Sequence, residues 1–247
     1  MIPKVIHYVW FGGGSLGEKE RTCIESWKKN LPDYKIVRWD ESNFDIKMNQ
    51  YCYEAYQEKK WAFASDFARL WVLVNHGGIY MDTDVEVLKP LDRFLEHKAF
   101  SGFETPKDIP TGIMACEKGF PLFADLLKEY NDRRFVKEDG SYDLKTNVVA
   151  ITESCLKLGL KLDNSFQVID GFTLYPNDYF CPKSYQTGEV LITDRTHTIH
   201  HFNSSWQDES TREVGRIKHS ILQRHRKIPE PLAGVTARLI YTFKSIK

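Results

Sequence analysis

Cysteine is sparse in this 247-residue chain, and its spacing excludes more than its number. The five residues stand at 23, 52, 116, 155 and 181, with no C-x-x-C pair among them. An odd, scattered set argues against a disulfide framework and against a structural zinc site, and predicts a reducing compartment. No apolar run approaches the roughly 20 residues of a membrane span. The opening MIPKVIHYVWFGGG holds too short an apolar stretch for a secretory leader and no cleavage site after it. These features predict a cytoplasmic protein. There is no internal repeat, no low-complexity segment and no net charge, with 34 Lys/Arg against 34 Asp/Glu.

The charge is unevenly spread. From 212 to 247 nine Lys/Arg face two Glu, leaving 25 basic against 32 acidic side chains before them. Thr211 to Lys227 and Leu232 to Ile246 read as two helices with apolar stripes and many cations. This predicts a basic helical extension, 211–247, packed on a core domain, 1–210, or laid on an anionic membrane. With the excess of basic residues confined there and no known module, no nucleic-acid role is expected. The length suits one sizeable core or two small ones.

Short β-rich runs alternate with helical spacing through the first half. Strands are predicted at Val5–Phe11, Tyr34–Trp39, Ile79–Met81, Val85–Val87, Ala99–Phe103 and Thr111–Ala115, and later at Phe166–Val168, Leu174–Pro176 and Thr198–Phe202. Helices are predicted at Glu18–Lys29, at Tyr51–His76 in two pieces, at Pro121–Arg133 and at Lys145–Lys157, with loops at Lys107–Pro110 and Tyr179–Glu189. The alternation predicts an α/β fold with a mostly parallel sheet flanked by helices. Ligands bind such sheets at the carboxyl ends of the strands.

Four stretches carry candidate chemistry. In GGIYMDTDVEV, Asp82-Thr83-Asp84 follows a predicted strand; in extended backbone the two carboxylates share a side and suit Mg²⁺ or Mn²⁺. In ASDFARLW, Asp66 and Arg69 share a helix face, and the Arg fork suits phosphate or sugar oxygens. In HYVWFGG, Trp10 stands beside glycines at a strand end, where an indole stacks on a base or fills core. In IHHFNSSW, His201 could complete an oxygen-rich metal shell and Ser204 could meet a phosphate or a metal-bound water; a polar loop anchored by Trp206 is the plainer reading.

Together, IPKVIHYVWFGG, ASDFARLWVLVNHGGIYMDTDVEVLKPLD and IHHFNSSW resemble the family-32 glycosyltransferases, the DXD-containing sugar transferases of bacterial capsule and O-antigen clusters, related to the yeast outer-chain mannosyltransferases. More distantly the chain is similar to the clostridial glucosylating toxins. The resemblance implies a GT-A fold, a nucleotide-sugar donor (UDP-galactose or UDP-glucose before GDP-mannose), retention of configuration and a glycan acceptor, usually lipid-linked, at the inner face of the membrane. It implies that Val9 and Trp10 hold the base, that Asp66 and Arg69 hold donor sugar and phosphate, and that Asp82 and Thr83 lie near ribose and metal. Asp84 is then a direct metal ligand. His201-x-x-Ser204-x-Trp206 matches the toxins' E-x-x-S-x-W, with His in the acidic place and Trp206 reaching the leaving diphosphate. Thr111, Gly112 and Asn147 are lining candidates. Lys145-Thr146-Asn147 replaces the Gly-Pro pair common there, so no acceptor-side residue transfers. No carboxylate nucleophile is identified. The rival functions are a metal-dependent nucleotide-sugar phosphohydrolase and a non-catalytic nucleotide-sugar binder.

Overall fold

The computed structural model describes residues 1–105, 107–109, 112–203, 209–225 and 228–245. They form two compact units, one of residues 1–182 and 192–201, the other of 183–191 and 202–247.

The first unit is built on a seven-stranded sheet. In chain order its elements are β1 (Val5–Val9), α1 (Glu18–Asn30), β2 (Lys35–Trp39), α2 (Gln50–Gln57), α3 (Trp61–His76), β3 (Gly78–Met81), β4 (Val85–Val87), β5 (Ala99–Gly102), β6 (Ile113–Cys116), α4 (Pro121–Glu129), α5 (Asn147–Lys157), β7 (Gln167–Ile169), β8 (Phe172–Tyr175), α6 (Asn177–Phe180) and β9 (Thr198–His200). The strand order is β2-β1-β3-β6-β5-β8-β7. β1, β2, β3, β5 and β8 run one way; β6 and β7 run against them. This is the mixed, mostly parallel, helix-flanked sheet that the alternation predicts. β4 and β9 form a separate antiparallel pair, with Val85 opposite His200 and Glu86 opposite Ile199.

Period-two alternation sorts the strand side chains into two cores. On β3, Ile79 and Met81 join Ile6, Trp27, Phe94 and Phe100 on one side of the sheet. Tyr80 joins Phe67, Leu70, Met114 and Phe172 on the other. Both faces being buried explains why β3 reads as a continuous apolar stub.

Glycine is required where α3 turns into β3. Gly77 has φ +67° and its N–H closes the helix on the Leu73 carbonyl. Gly78 has φ +99°, and a Cβ on it would stand 2.7 Å from the Val5 carbonyl oxygen. The pair stops the helix and lets β3 slide in beside β1, so that Met81 delivers Asp82 at the carboxyl edge.

The second unit contains α7 (Glu209–Arg224) and α8 (Glu230–Ser245), which pack on one another. Leu222 on α7 and Ala233 and Ala237 on α8 are buried, whereas Leu232, Val235 and Leu239 are 56, 57 and 56% exposed. At 100° per residue those three share one stripe, roughly opposite the alanines. No helix among the described residues is long and apolar enough to cross a membrane.

Candidate metal and donor site

β1, β3 and β5 are co-directional, so Trp10, Asp82 and Glu104 leave the sheet at one edge. β6 runs the other way and begins there, just after Gly112.

The two aspartates converge through a turn rather than an extended strand. The Val85 N–H donates to the Asp82 carbonyl at 3.0 Å, which closes residues 82–85 into a β-turn. Extended alternation is thus not what brings the carboxylates together. Thr83 is buried inside this turn. The Asp82 N–H is fixed in turn by the Gly112 carbonyl at 2.8 Å.

Asp82 is held from one side. Its Oδ1 accepts from the Tyr80 hydroxyl at 3.0 Å and lies 3.2 Å from Arg69 Nη2. The Arg69 guanidinium lies over the Tyr80 ring, 4.6 Å from its centroid, and its Nε is 3.5 Å from Asp66 Oδ1. Arg69 and Asp66 are both buried, so each carboxylate supports a charge that would otherwise be stranded. Asp66 has a further task. Its Oδ2 accepts from the Asn147 N–H at 3.1 Å and its carbonyl from the Asn147 amide at 2.6 Å, anchoring the start of α5. The sequence predicts Asp66 and Arg69 as donor contacts; in the structure both are built into the support of Asp82. Asn147, expected to line the site, is the buried partner of Asp66 and also accepts from the Tyr130 hydroxyl at 2.7 Å.

The other side of Asp82 faces a histidine. His200 Nε2 is 3.4 Å from Asp84 Oδ1 and 4.0 Å from Asp82 Oδ2. One ligand atom from each of Asp82, Asp84 and His200 lies within 4.8 Å of the others. The expected ligand His201 is placed elsewhere: its Nε2 is 2.7 Å from Glu86 Oε2. The reason is strand alternation. Glu86 and Ile199 are opposite one another in the β4–β9 pair, so His201, two residues past Ile199, continues on the Glu86 face. His200 is opposite Val85 and points to the other face, toward the aspartates. The geometry therefore puts His200 in the position the sequence assigns to His201. Ser204, Trp206 and Thr111 lie outside the described residues.

Burial raises the Asp82 carboxyl above the usual carboxylate range, with Arg69 and His200 acting against it. Burial also disfavours the charged imidazole of His200, but the Asp84 carboxylate outweighs it and holds His200 well above its ordinary value. The cluster thus has a surplus of negative charge that a proton or a cation satisfies. Two carboxylates and an imidazole form a donor set that fits Mn²⁺ or Mg²⁺.

Glu104 escapes sequence reasoning. Burial raises its carboxyl, and His200, Asp82 and Asp84 all act on it electrostatically. Its N–H donates to the Asp108 carbonyl at 2.9 Å, in a turn that also ties the Thr105 hydroxyl to Asp108 at 2.8 Å. A strand-end position, two residues past β5, is the signal that finds it. At the β1 end, Val9 is buried. Trp10 is half-buried, and its indole N–H donates to the Gly14 carbonyl at 2.7 Å, which fixes the ring over the glycine loop.

Residues 17–101 match the family described as "Glycosyltransferase sugar-binding region containing DXD motif". Inositol phosphoceramide mannosyltransferase 3 of Schizosaccharomyces pombe is 30% identical over 135 residues, covering 51% of this chain and 36% of that protein. An uncharacterized glycosyltransferase of Acanthamoeba polyphaga mimivirus is 28% identical over 204 residues, covering 74% of this chain and 78% of its own. A solved structure described as PaToxG Glycosyltransferase superposes with a TM-score of 0.49 at 22% identity, covering 63% of this chain and 69% of its own. The chain spans about a third of the length of two yeast relatives that it matches, 36% and 34%.

Proposed function

We propose, from the premise that residues 17–101 make this chain a member of the glycosyltransferase family with a DXD-containing sugar-binding region, that it moves a hexose from a nucleotide-diphosphate sugar to a glycan acceptor with retention of configuration. The observation that carries the reading is the convergence of Asp82, Asp84 and His200 at the carboxyl edge of the sheet, beside the buried Arg69.

Asp82, Asp84 and His200 would hold Mn²⁺ or Mg²⁺. When bound, such an ion supplies positive charge to the departing nucleotide diphosphate. The chain's own residues do the rest. Arg69 and Tyr80 fix Asp82 Oδ1 and leave Oδ2 facing the site. Asp66 holds Arg69 in place and ties it to α5. Trp10, with Val9 behind it, stacks on the donor base, and Thr83 shapes the turn beneath the ribose. The resemblance assigns Ser204 and Trp206, which lie outside the described residues, to the leaving diphosphate. The acceptor hydroxyl attacks from the face the leaving group vacates.

The preferred donor is UDP-glucose or UDP-galactose. A mannosyl donor is the second reading, favoured by the names of two yeast relatives, an inositol phosphoceramide mannosyltransferase and a mannosyl phosphorylinositol ceramide synthase. The acceptor is a lipid-linked glycan of a capsular or cell-surface polysaccharide, met from the cytoplasmic side. Residues 211–247 then serve as a basic extension of the 1–210 catalytic domain, and the exposed apolar stripe of α8 with the surrounding cations supports peripheral contact with an anionic bilayer.

The test is a screen of UDP-glucose, UDP-galactose and GDP-mannose with Mn²⁺, with and without lipid-linked acceptors. Acceptor-dependent sugar incorporation supports the reading. Free sugar released at the same rate whatever the acceptor makes the protein a phosphohydrolase, and donor binding without turnover makes it a binder.

A further inference from the structure

We propose, resting on the cation site of the reading above, that Gly112 and Cys181 are positioning residues that hold the His200 ring against Asp82 and Asp84.

Gly112 is a glycine for reasons of space. It is not among the positive-φ residues, so its backbone conformation does not demand glycine. A Cβ on it would stand 2.7 Å from His200 Nδ1, 2.9 Å from Cε1 and 3.1 Å from Cγ. Three ring atoms at such distances mean that the imidazole lies across the Gly112 Cα, in volume that any side chain would fill. The same residue's carbonyl fixes the Asp82 N–H at 2.8 Å. One residue thus seats the ring and anchors the neighbouring carboxylate.

Cys181 meets the ring as well. It follows α6, is buried, and its thiol lies near enough to the His200 side chain to interact with it. Its N–H is pinned on the Asn177 carbonyl at 2.7 Å, so the thiol projects from a fixed turn. The β4–β9 register sets the His200 backbone opposite Val85. Register, glycine face and thiol together leave the ring one orientation, with Nε2 toward Asp84. Neighbours that orient a metal-binding histidine typically account for about ten- to a hundred-fold in metal affinity.

The test is calorimetric titration of Mn²⁺ into the full chain and into Gly112→Ala, Cys181→Ala and Cys181→Ser, with circular dichroism to establish folding. The proposal expects Gly112→Ala to remain folded and to bind Mn²⁺ at least about ten-fold more weakly. Cys181→Ala weakens binding measurably, and Cys181→Ser, which keeps a hydrogen-bonding group, recovers most of it. Folded Gly112→Ala with wild-type affinity overturns the proposal. If Gly112→Ala fails to fold, the Cys181 pair decides: equal affinity of Cys181→Ala and wild type overturns it. A wild-type chain that takes up no Mn²⁺ contradicts the cation site itself, a different failure from a variant that matches a binding wild type.

Discussion

His200 Nε2 lies 3.4 Å from Asp84 Oδ1, while the adjacent histidine, His201, reaches Glu86 on the opposite face of the β4–β9 pair. One residue of register decides which imidazole joins the aspartates. Several outcomes depend on that choice and on the buried charges behind it.

Arg69 is the counter-charge of both Asp66 and Asp82. Arg69→Met leaves two carboxylates buried without it, and such a loss costs about 3–5 kcal/mol. Urea unfolding measures this. A cost below about 1 kcal/mol would mean that the carboxylates are supported some other way.

The two tryptophans at this end of the molecule separate binding from stability. Trp27 is fully buried and its indole N–H donates to the Val85 carbonyl at 2.6 Å, so Trp27→Ala is expected to cost about 3–5 kcal/mol. Trp10 is half-buried, and Trp10→Ala should raise the donor KM about ten-fold or more, given about 1–3 kcal/mol for base–aromatic stacking, with little change in urea midpoint. Equal destabilisation by both substitutions assigns Trp10 to the core instead.

Stability should fall on the acid side because of His7. Its ring is buried, accepts at Nδ1 from the Trp39 indole at 3.1 Å and lies 3.0 Å from the Gly77 carbonyl through Nε2. Burial lowers its pKa to about 4, against about 6.5 in the unfolded chain. The unfolded chain therefore takes up a proton first as pH drops. The stabilisation is complete above about pH 6.5 and is lost progressively down to about pH 4, amounting to about 2 kcal/mol between pH 7.5 and pH 5. Urea unfolding at those two pH values should show His7→Gln losing about 2 kcal/mol less than wild type. Identical losses in both proteins rule His7 out as the source.

Leu232 and Leu239 are exposed along one stripe of α8. Sedimentation with phosphatidylglycerol vesicles should carry the wild-type chain down at low salt, less so at high salt. Leu232→Glu/Leu239→Glu should lower the bound fraction at least about five-fold, each buried leucine being worth roughly 1.5–3 kcal/mol. An unchanged bound fraction places the lipid contact elsewhere.

Much of this was legible from residue spacing. The apolar stub after Gly77-Gly78 becomes β3 because both faces of the sheet are covered, and the stripe Phe67, Leu70 and Val74 is the buried side of α3. The predicted ends of β1 and of α4 run past Val9 and Glu129, since the pattern of apolar residues continues after the hydrogen bonding stops. α6 falls across the start of the predicted Tyr179–Glu189 loop, too short to leave a helical period. Within the site, the aspartates announce themselves by motif. Their turn does not, because D-T-D suits a strand end as well as a turn. Choosing between His200 and His201 needs the β4–β9 register, a long-range pairing that neither segment specifies alone. Glu104 and Asn147 acquire their roles only when β5 and α5 meet the strand edge.

The most direct test of the cation site is calorimetric titration of Mn²⁺ into wild type, His200→Ala and His201→Ala. Loss of binding in His200→Ala, with His201→Ala within about three-fold of wild type, is the predicted result. Wild-type affinity in His200→Ala, with loss in His201→Ala, would contradict it.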